Sequence, residues 1–205
     1  MATVIIRPAT VSDVGRMLAL YAPYVLNSTA TWETALPSRQ EFARRLQACQ
    51  DAGFPWLVAD EGGSILGYAY AGRLGERPGY DWTAQVSVYV DGDERHRGLG
   101  TALYGALLAL LKLQGYCSCY ALVTESNEVS AAFHRAMGFR ETATLPNAGF
   151  KSGRWLNLAY YYLPLNPCSL SPKPPAPVLK LDPAQTAKVL RKAQSYARAP
   201  EGTDS

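Results

Sequence analysis

The 205-residue sequence has no apolar run approaching the length of a membrane span. It has no dense run of lysine and arginine either, and its net charge is only +3. Residues 1–163 hold 14 Lys/Arg against 14 Asp/Glu, whereas residues 164–205 hold 6 against 3, so the excess charge belongs to the C-terminal stretch. A neutral body without a basic stripe argues against a nucleic-acid partner, and nothing marks a membrane surface as one. The opening MATVIIRPAT carries only a short apolar stretch before Arg7 and Pro8, so no signal peptide is expected. Cysteine is scarce: Cys49, Cys117, Cys119 and Cys168 fall at spacings that fit neither a disulfide framework nor a zinc site. A reduced, cytoplasmic setting without a metal is the expectation.

What remains is 48% hydrophobic and 18% charged, enough apolar surface for one well-packed domain. TVIIRPA reads as a strand, and Thr10 with Asp13 forms a capping-box start for a helix that Pro23 should break or kink. Ser38 and Glu41 open a second helix. FPWLVAD and SILGYAYAG flank the turn EGG as a hairpin. TAQVSVYV, residues 83–90, is a β-branched and aromatic strand; a helix stopped by Gly115 follows, then CSCYALV as a strand, NEVSAAFHRAM as a helix, and RETATL and WLNLAYYYL as closing strands. This alternation predicts an α/β (α+β) domain over 1–163, with a mixed sheet of about seven strands and helices on both faces. Eight of the 14 prolines lie beyond residue 163. The 164–205 tail should therefore run extended over the surface, with Asp182 and Pro183 starting a short terminal helix. Removing it is expected to leave the site intact.

Between the 83–90 strand and the next helix stands DERHRGLGTALY. A strand, then Gly98 and Gly100, then a helix, presents unpaired N–H groups to an anion, and the helix dipole adds to their pull. The loop reads as a pyrophosphate cradle. A Walker loop would need Lys directly after the second glycine, where Thr101 stands; a dinucleotide fingerprint would need a third glycine at Leu103. The alternative is that the glycines only make a tight turn.

RHRGLGTAL resembles the R/Q-x-x-G-x-G/A loop of the GCN5-related N-acetyltransferase (GNAT) superfamily, as do VSVYV before it and NEVSAAFHRAMGF after it. YDWTAQVSVYV, YAPYVLNSTATWET and AGFKSGRWLNLAYY are similar to its phosphinothricin and methionine sulfoximine N-acetyltransferase branch, over residues 3 to about 163. The resemblance implies transfer of acetyl from acetyl-CoA to the amino group of a small amino acid or analogue, in a homodimer. The rival is an acyl-CoA-binding sensor or assembly module with little or no catalysis.

The same resemblance distributes roles. CoA is held by Val88, Tyr89 and Val90, by the loop Arg95, His96, Arg97, Gly98, Leu99, Gly100 and Thr101, and by Asn127, with Arg95 or Arg97 adding side-chain charge. A backbone N–H near Val88 stabilises the oxyanion. Trp32, Glu33, Arg73, Tyr80, Lys151 and Arg154 surround the acceptor, though Trp32 can equally be core. His134 stands where relatives place the tyrosine that protonates the leaving thiolate, or else is a hydrogen-bonded helix residue. Gln85 stands where the branch usually has a Glu base, and an amide cannot take the ammonium proton. Glu33, a water relay or altered chemistry then compete for that role.

Overall fold

The computed structural model describes residues 3–94 and 96–198. Seven strands form one sheet in the order β1-β2-β3-β4-β5-β7-β6. They are β1 Val4–Pro8, β2 Trp56–Glu61, β3 Ser64–Arg73, β4 Thr83–Val90, β5 Ser118–Thr124, β6 Arg140–Lys151 and β7 Arg154–Pro164. All neighbours are antiparallel except β4 and β5. The expected mixed seven-stranded sheet is thus present.

Helices cover both faces. On one lie α1 (Val14–Asn27) and α2 (Arg39–Asp51), over a core of Val14, Met17, Phe42, Trp56, Val58 and Tyr68. On the other lie α3 (Leu99–Gln114), α4 (Glu128–Ala136) and α5 (Pro183–Gln194), over Leu103, Tyr104, Leu107, Ala121, Phe139 and Ala193. Alternate residues of β4 feed the two cores. Ala84 and Val86 belong to the α3 side, and Tyr89 packs on the α1 side.

The local signals act as read at several element ends. The Thr10–Asp13 capping box is formed, Ser38 Oγ accepts from Glu41 N, and Gly115 ends α3 at φ +98°. Pro23 does not break α1. The helix carries it internally to Asn27 and ends at the extended Ser28, whose hydroxyl donates to Tyr24 O. Strand β6 is longer than its sequence signal, because Pro146 and Asn147 are absorbed at a register shift on an edge strand.

The tail departs from expectation most. Leu165 N–H donates to Cys117 O, Trp82 Nε1 to Lys173 O, Ala176 N to Gln114 O and Val178 N to Gly53 O. These bonds fix the proline-rich stretch along the C-terminal end of α3. Helix α5, capped by Asp182 Oδ1, packs on α3 and β1 and runs back toward the start of α3. Ala193 is 3% exposed within the main core, so the tail is part of the packed body.

Candidate active site

Strands β4 and β5 pair only at Thr83–Ser118, Ala84–Cys119 and Gln85–Tyr120. Beyond Gln85 they part, and β4 continues to Val90 with β3 as its ladder partner. Asp91 N–H donates to Leu66 O on β3, so strand alternation turns the N–H and C=O of Val86, Val88 and Val90 away from β3, toward the opening. The carbonyl of Val90 is already taken, accepting from the Tyr24 hydroxyl at 2.6 Å. Val88 therefore presents both backbone groups to an extended, amide-bearing ligand laid in the gap.

The glycine loop closes one end of that gap. The first intrahelical bond of α3 is Ala102 N to Gly98 O, which leaves the N–H groups of Leu99, Gly100 and Thr101 without an intrahelical acceptor. His96 and Gly98 both have positive φ, +69° and +72°, which aims the backbone toward an anion. A Cβ on Gly100 would meet the Phe133 ring at 3.4 Å and Val90 Cγ2 at 3.9 Å, so that glycine keeps the space beside α4 open. A Cβ on Gly98 would lie 2.0 Å from Tyr196 O, so there the glycine makes room for the tail and not for phosphate.

Side-chain charge on this loop is arranged differently from the expectation. Arg97 is buried, and its guanidinium donates to Glu61 at 2.6 Å, to Glu94 at 2.5 Å and to Arg198 O at 3.0 Å. The assignment of Arg97 as a phosphate ligand is corrected: its side chain is only 9% exposed, and its guanidinium is enclosed by two carboxylates and the Arg198 carbonyl. Arg95 lies outside the described residues. Leu99 is core, so only its amide serves the loop, and the Tyr89 ring belongs to the opposite core. Asn127 caps α4, its Oδ1 accepting from Ser130 N at 3.1 Å, so its side chain has a structural task.

On the α1–α2 face, a cavity of about 230 Å³ is lined by Tyr21, Glu33, Phe42, Arg45, Cys49, Trp56, Tyr68, Tyr70, Ala71 and Gly72. Its β3 floor, Tyr68, Tyr70, Ala71 and Gly72, is in register with β4 residues Tyr89, Ser87, Val86 and Gln85, where β4 parts from β5. Gln85 is the partner of Gly72, so it stands beside this floor. Glu33 is the one carboxylate among the described lining residues, and it is ion-paired with Arg45. Trp56 Nε1 is buried without a hydrogen-bond partner among the described residues, a donor waiting for an acceptor. Burial pushes the Tyr21 hydroxyl and the Cys49 thiol up to about 12, so both stay protonated at neutral pH.

The 29–33 segment is clamped across the sheet. Trp32 Nε1 donates to Thr124 Oγ1 at 2.9 Å, Thr124 Oγ1 donates to Thr29 O at 2.6 Å, and Lys151 Nζ donates to Thr31 O at 2.7 Å. The Trp32 ring lies where a Cβ of Gly149 would be. Burial lowers the Lys151 pKa, with the charge of Glu33 opposing the shift. Glu33, Trp32, Lys151 and Gln85 are thus gathered on one side of the sheet.

Other expected acceptor residues are elsewhere. Arg73 pairs in register with Ala84, on the α3 face, and is held by Asp81 at 2.6 Å. Tyr80 is 44% exposed and packs against Gly75, and Arg154 is exposed opposite Lys151 at the hairpin end. The cavity's cation is Arg45, which the sequence disguises as half of a helical Glu41–Arg45 surface pair.

His134 is also corrected. Its Nδ1 faces the carbonyl of Ser130 at 2.7 Å and must be the protonated nitrogen, so Nε2 accepts from the Tyr104 hydroxyl at 2.9 Å. The ring is 5% exposed among Tyr104, Phe133 and Phe139, and burial lowers its pKa. With both nitrogens engaged by protein groups, the hydrogen-bonded helix residue is the reading the structure fits, and the ring has no free nitrogen to offer a leaving thiolate.

The chain is similar to known proteins over most of its length. Residues 6–158 match the family model described as an acetyltransferase (GNAT) domain. A phosphinothricin N-acetyltransferase of Streptomyces viridochromogenes is 36% identical over 173 residues, covering 84% of this chain and 92% of the relative. An L-methionine sulfoximine/L-methionine sulfone acetyltransferase of Pseudomonas aeruginosa is 38% identical over 172 residues, covering 82% and 98%. The crystal structure of a phosphinothricin acetyltransferase from Sinorhizobium meliloti in complex with AcCoA superimposes with a TM-score of 0.78 at 33% identity, over 88% of this chain and 96% of that one.

Proposed function

The chain belongs to the GNAT acetyltransferase family, and from that membership we propose that it transfers acetyl from acetyl-CoA to the amino group of a small amino acid or analogue of the phosphinothricin or methionine sulfoximine kind. The observation that carries this reading is the parting of β4 from β5 after Gln85, with free helix amides at one end of the gap and a charged cavity along it. Acetyl-CoA supplies the activated acyl group. The loop amides of Leu99, Gly100 and Thr101 hold its phosphates, and the Val88 backbone pairs with the amide-bearing arm. The Val88 N–H also stabilises negative charge growing on the thioester oxygen.

The cavity presents one anion and one cation, Glu33 and Arg45, to an acceptor that carries one of each. Arg45 holds the carboxylate, and Glu33 takes the ammonium proton directly or through water. Gln85 beside Gly72 offers hydrogen bonds without basicity. A cytoplasmic homodimer belongs to the same reading; the exposed, edge-to-face Phe150–Trp155 pair on the β6–β7 hairpin supports a second subunit there, and sedimentation tests it.

The deciding experiment is thiol release from acetyl-CoA with phosphinothricin, methionine sulfoximine and methionine sulfone as acceptors. Turnover should fall about 10²-fold or more in Glu33→Gln at neutral pH, and Arg45→Ala should raise the acceptor KM while leaving the acetyl-CoA KM unchanged. Tight CoA binding with no thiol released from any acceptor would favour a sensor over an enzyme.

A further inference from the structure

We infer that the C-terminal segment 183–198 braces the phosphate-binding loop, and that Arg97 is a positioning residue that ties the loop to this brace. The inference rests on the acetyl-CoA reading for its consequence, and on the tail's own contacts for its geometry. Arg198 N–H donates to Arg97 O at 2.8 Å, and Arg97 Nε donates back to Arg198 O at 3.0 Å. Tyr196 O occupies the space beside Gly98 that any side chain would fill. From the body of the sheet, Glu61 at the end of β2 grips the same guanidinium. Three separate parts of the chain therefore meet at the residue preceding Gly98.

The loop needs such a wall. Gly100 is backed by Phe133 of α4 and by Val90, whereas the atoms nearest to a Cβ placed on Gly98 belong to Tyr196 and Ala197 of the tail. His96 and Gly98 hold left-handed backbone, so this turn is not maintained by a regular ladder. An unbraced loop would have to order itself when the phosphates arrive, at a cost in affinity. The brace is itself anchored away from the site. Ala193 is buried in the main core, with Val189, Leu190 and Ala197 packed against it, and Ala176 and Val178 are bonded to Gln114 and Gly53. Holding the tail also explains why Arg97 is neutralised by Glu61 and Glu94 instead of facing a ligand.

The test uses the full chain with two substitutions at one position. Arg198→Pro deletes the N–H that reaches Arg97 O, while Arg198→Ala keeps both backbone groups. We expect Arg198→Pro to raise the CoA Kd by calorimetry, and the acetyl-CoA KM, roughly three- to tenfold with kcat unchanged. Arg198→Ala should match the parent. Amide exchange at residues 98–101 in the unliganded protein should quicken in Arg198→Pro alone. An unchanged Kd and unchanged exchange in Arg198→Pro would overturn the brace, as would equal losses in both variants. Failure of the parent to bind CoA would instead overturn the acetyl-CoA reading, with the exchange measurement still deciding the brace.

Discussion

Replacing His134 by phenylalanine separates packing from catalysis. The change keeps an aromatic ring among Tyr104, Phe133 and Phe139 but removes the acceptor for the Tyr104 hydroxyl, whose side chain has no exposed surface. A buried hydroxyl left unsatisfied costs about 1–3 kcal/mol. In a chain of this size each kcal/mol moves Tm by about 2–4 °C, so a fall of roughly 2–12 °C is expected. Adding Tyr104→Phe removes the orphaned donor and should recover most of the loss. The pH dependence has a definite sign. Burial holds the folded imidazole pKa below its ordinary 6.5, so the unfolded chain takes the proton first. The ring's contribution is fully present above that value and is lost as the pH falls from 6.5 through the folded pKa. The Tm gap between parent and His134→Phe should therefore be widest near neutral pH and narrow on acidification. Saturating kcat should stay within about twofold of the parent. A hundredfold drop in kcat with an unchanged Tm would refute the packing assignment and restore the imidazole to the chemistry.

Three further outcomes follow from the site. Gly98→Ala meets Tyr196 O in a left-handed conformation that costs a side chain about 1–2 kcal/mol, so melting and CoA titration should show stability and affinity falling together. Gly100→Ala lies in the helix, where alanine is favoured over glycine by about 1 kcal/mol, so it should keep Tm while weakening CoA binding; normal binding would move the phosphate path away from Gly100. Gln85→Glu, added to Glu33→Gln, places a carboxylate beside Gly72 and should restore turnover about tenfold near neutral pH. No restoration would show that position 85 is out of reach of the acceptor nitrogen.

The elements were legible because their ends are written locally: the Thr10–Asp13 box, Ser38, the EGG turn, Gly115 and Asp182 each act where the chain places them. The glycine loop was legible for the same reason, as a strand, a turn and a helix in succession. Pairings between distant residues were not. Arg97 looks like a phosphate ligand until Glu61, 36 residues away, is seen to hold it. Arg45 looks like a surface residue until the 29–33 segment brings Glu33 against it. The prolines of the tail correctly excluded a central strand. They carried no information about the carbonyl and amide partners at Gly53, Gln114 and Cys117 that dock it.

The clasp between Arg97 and Arg198 joins positions 101 residues apart. At a ribosomal pace of about 5–20 residues per second, the loop leaves the ribosome roughly 5–20 s before the residues that finish it. The sheet and α3 can assemble in that interval, but the tail's contacts with Gly98 and Arg97 wait until residue 198 has emerged. Nascent chains should therefore gain their full hold on the cosubstrate only once residue 198 is free to dock, after the catalytic sheet has folded.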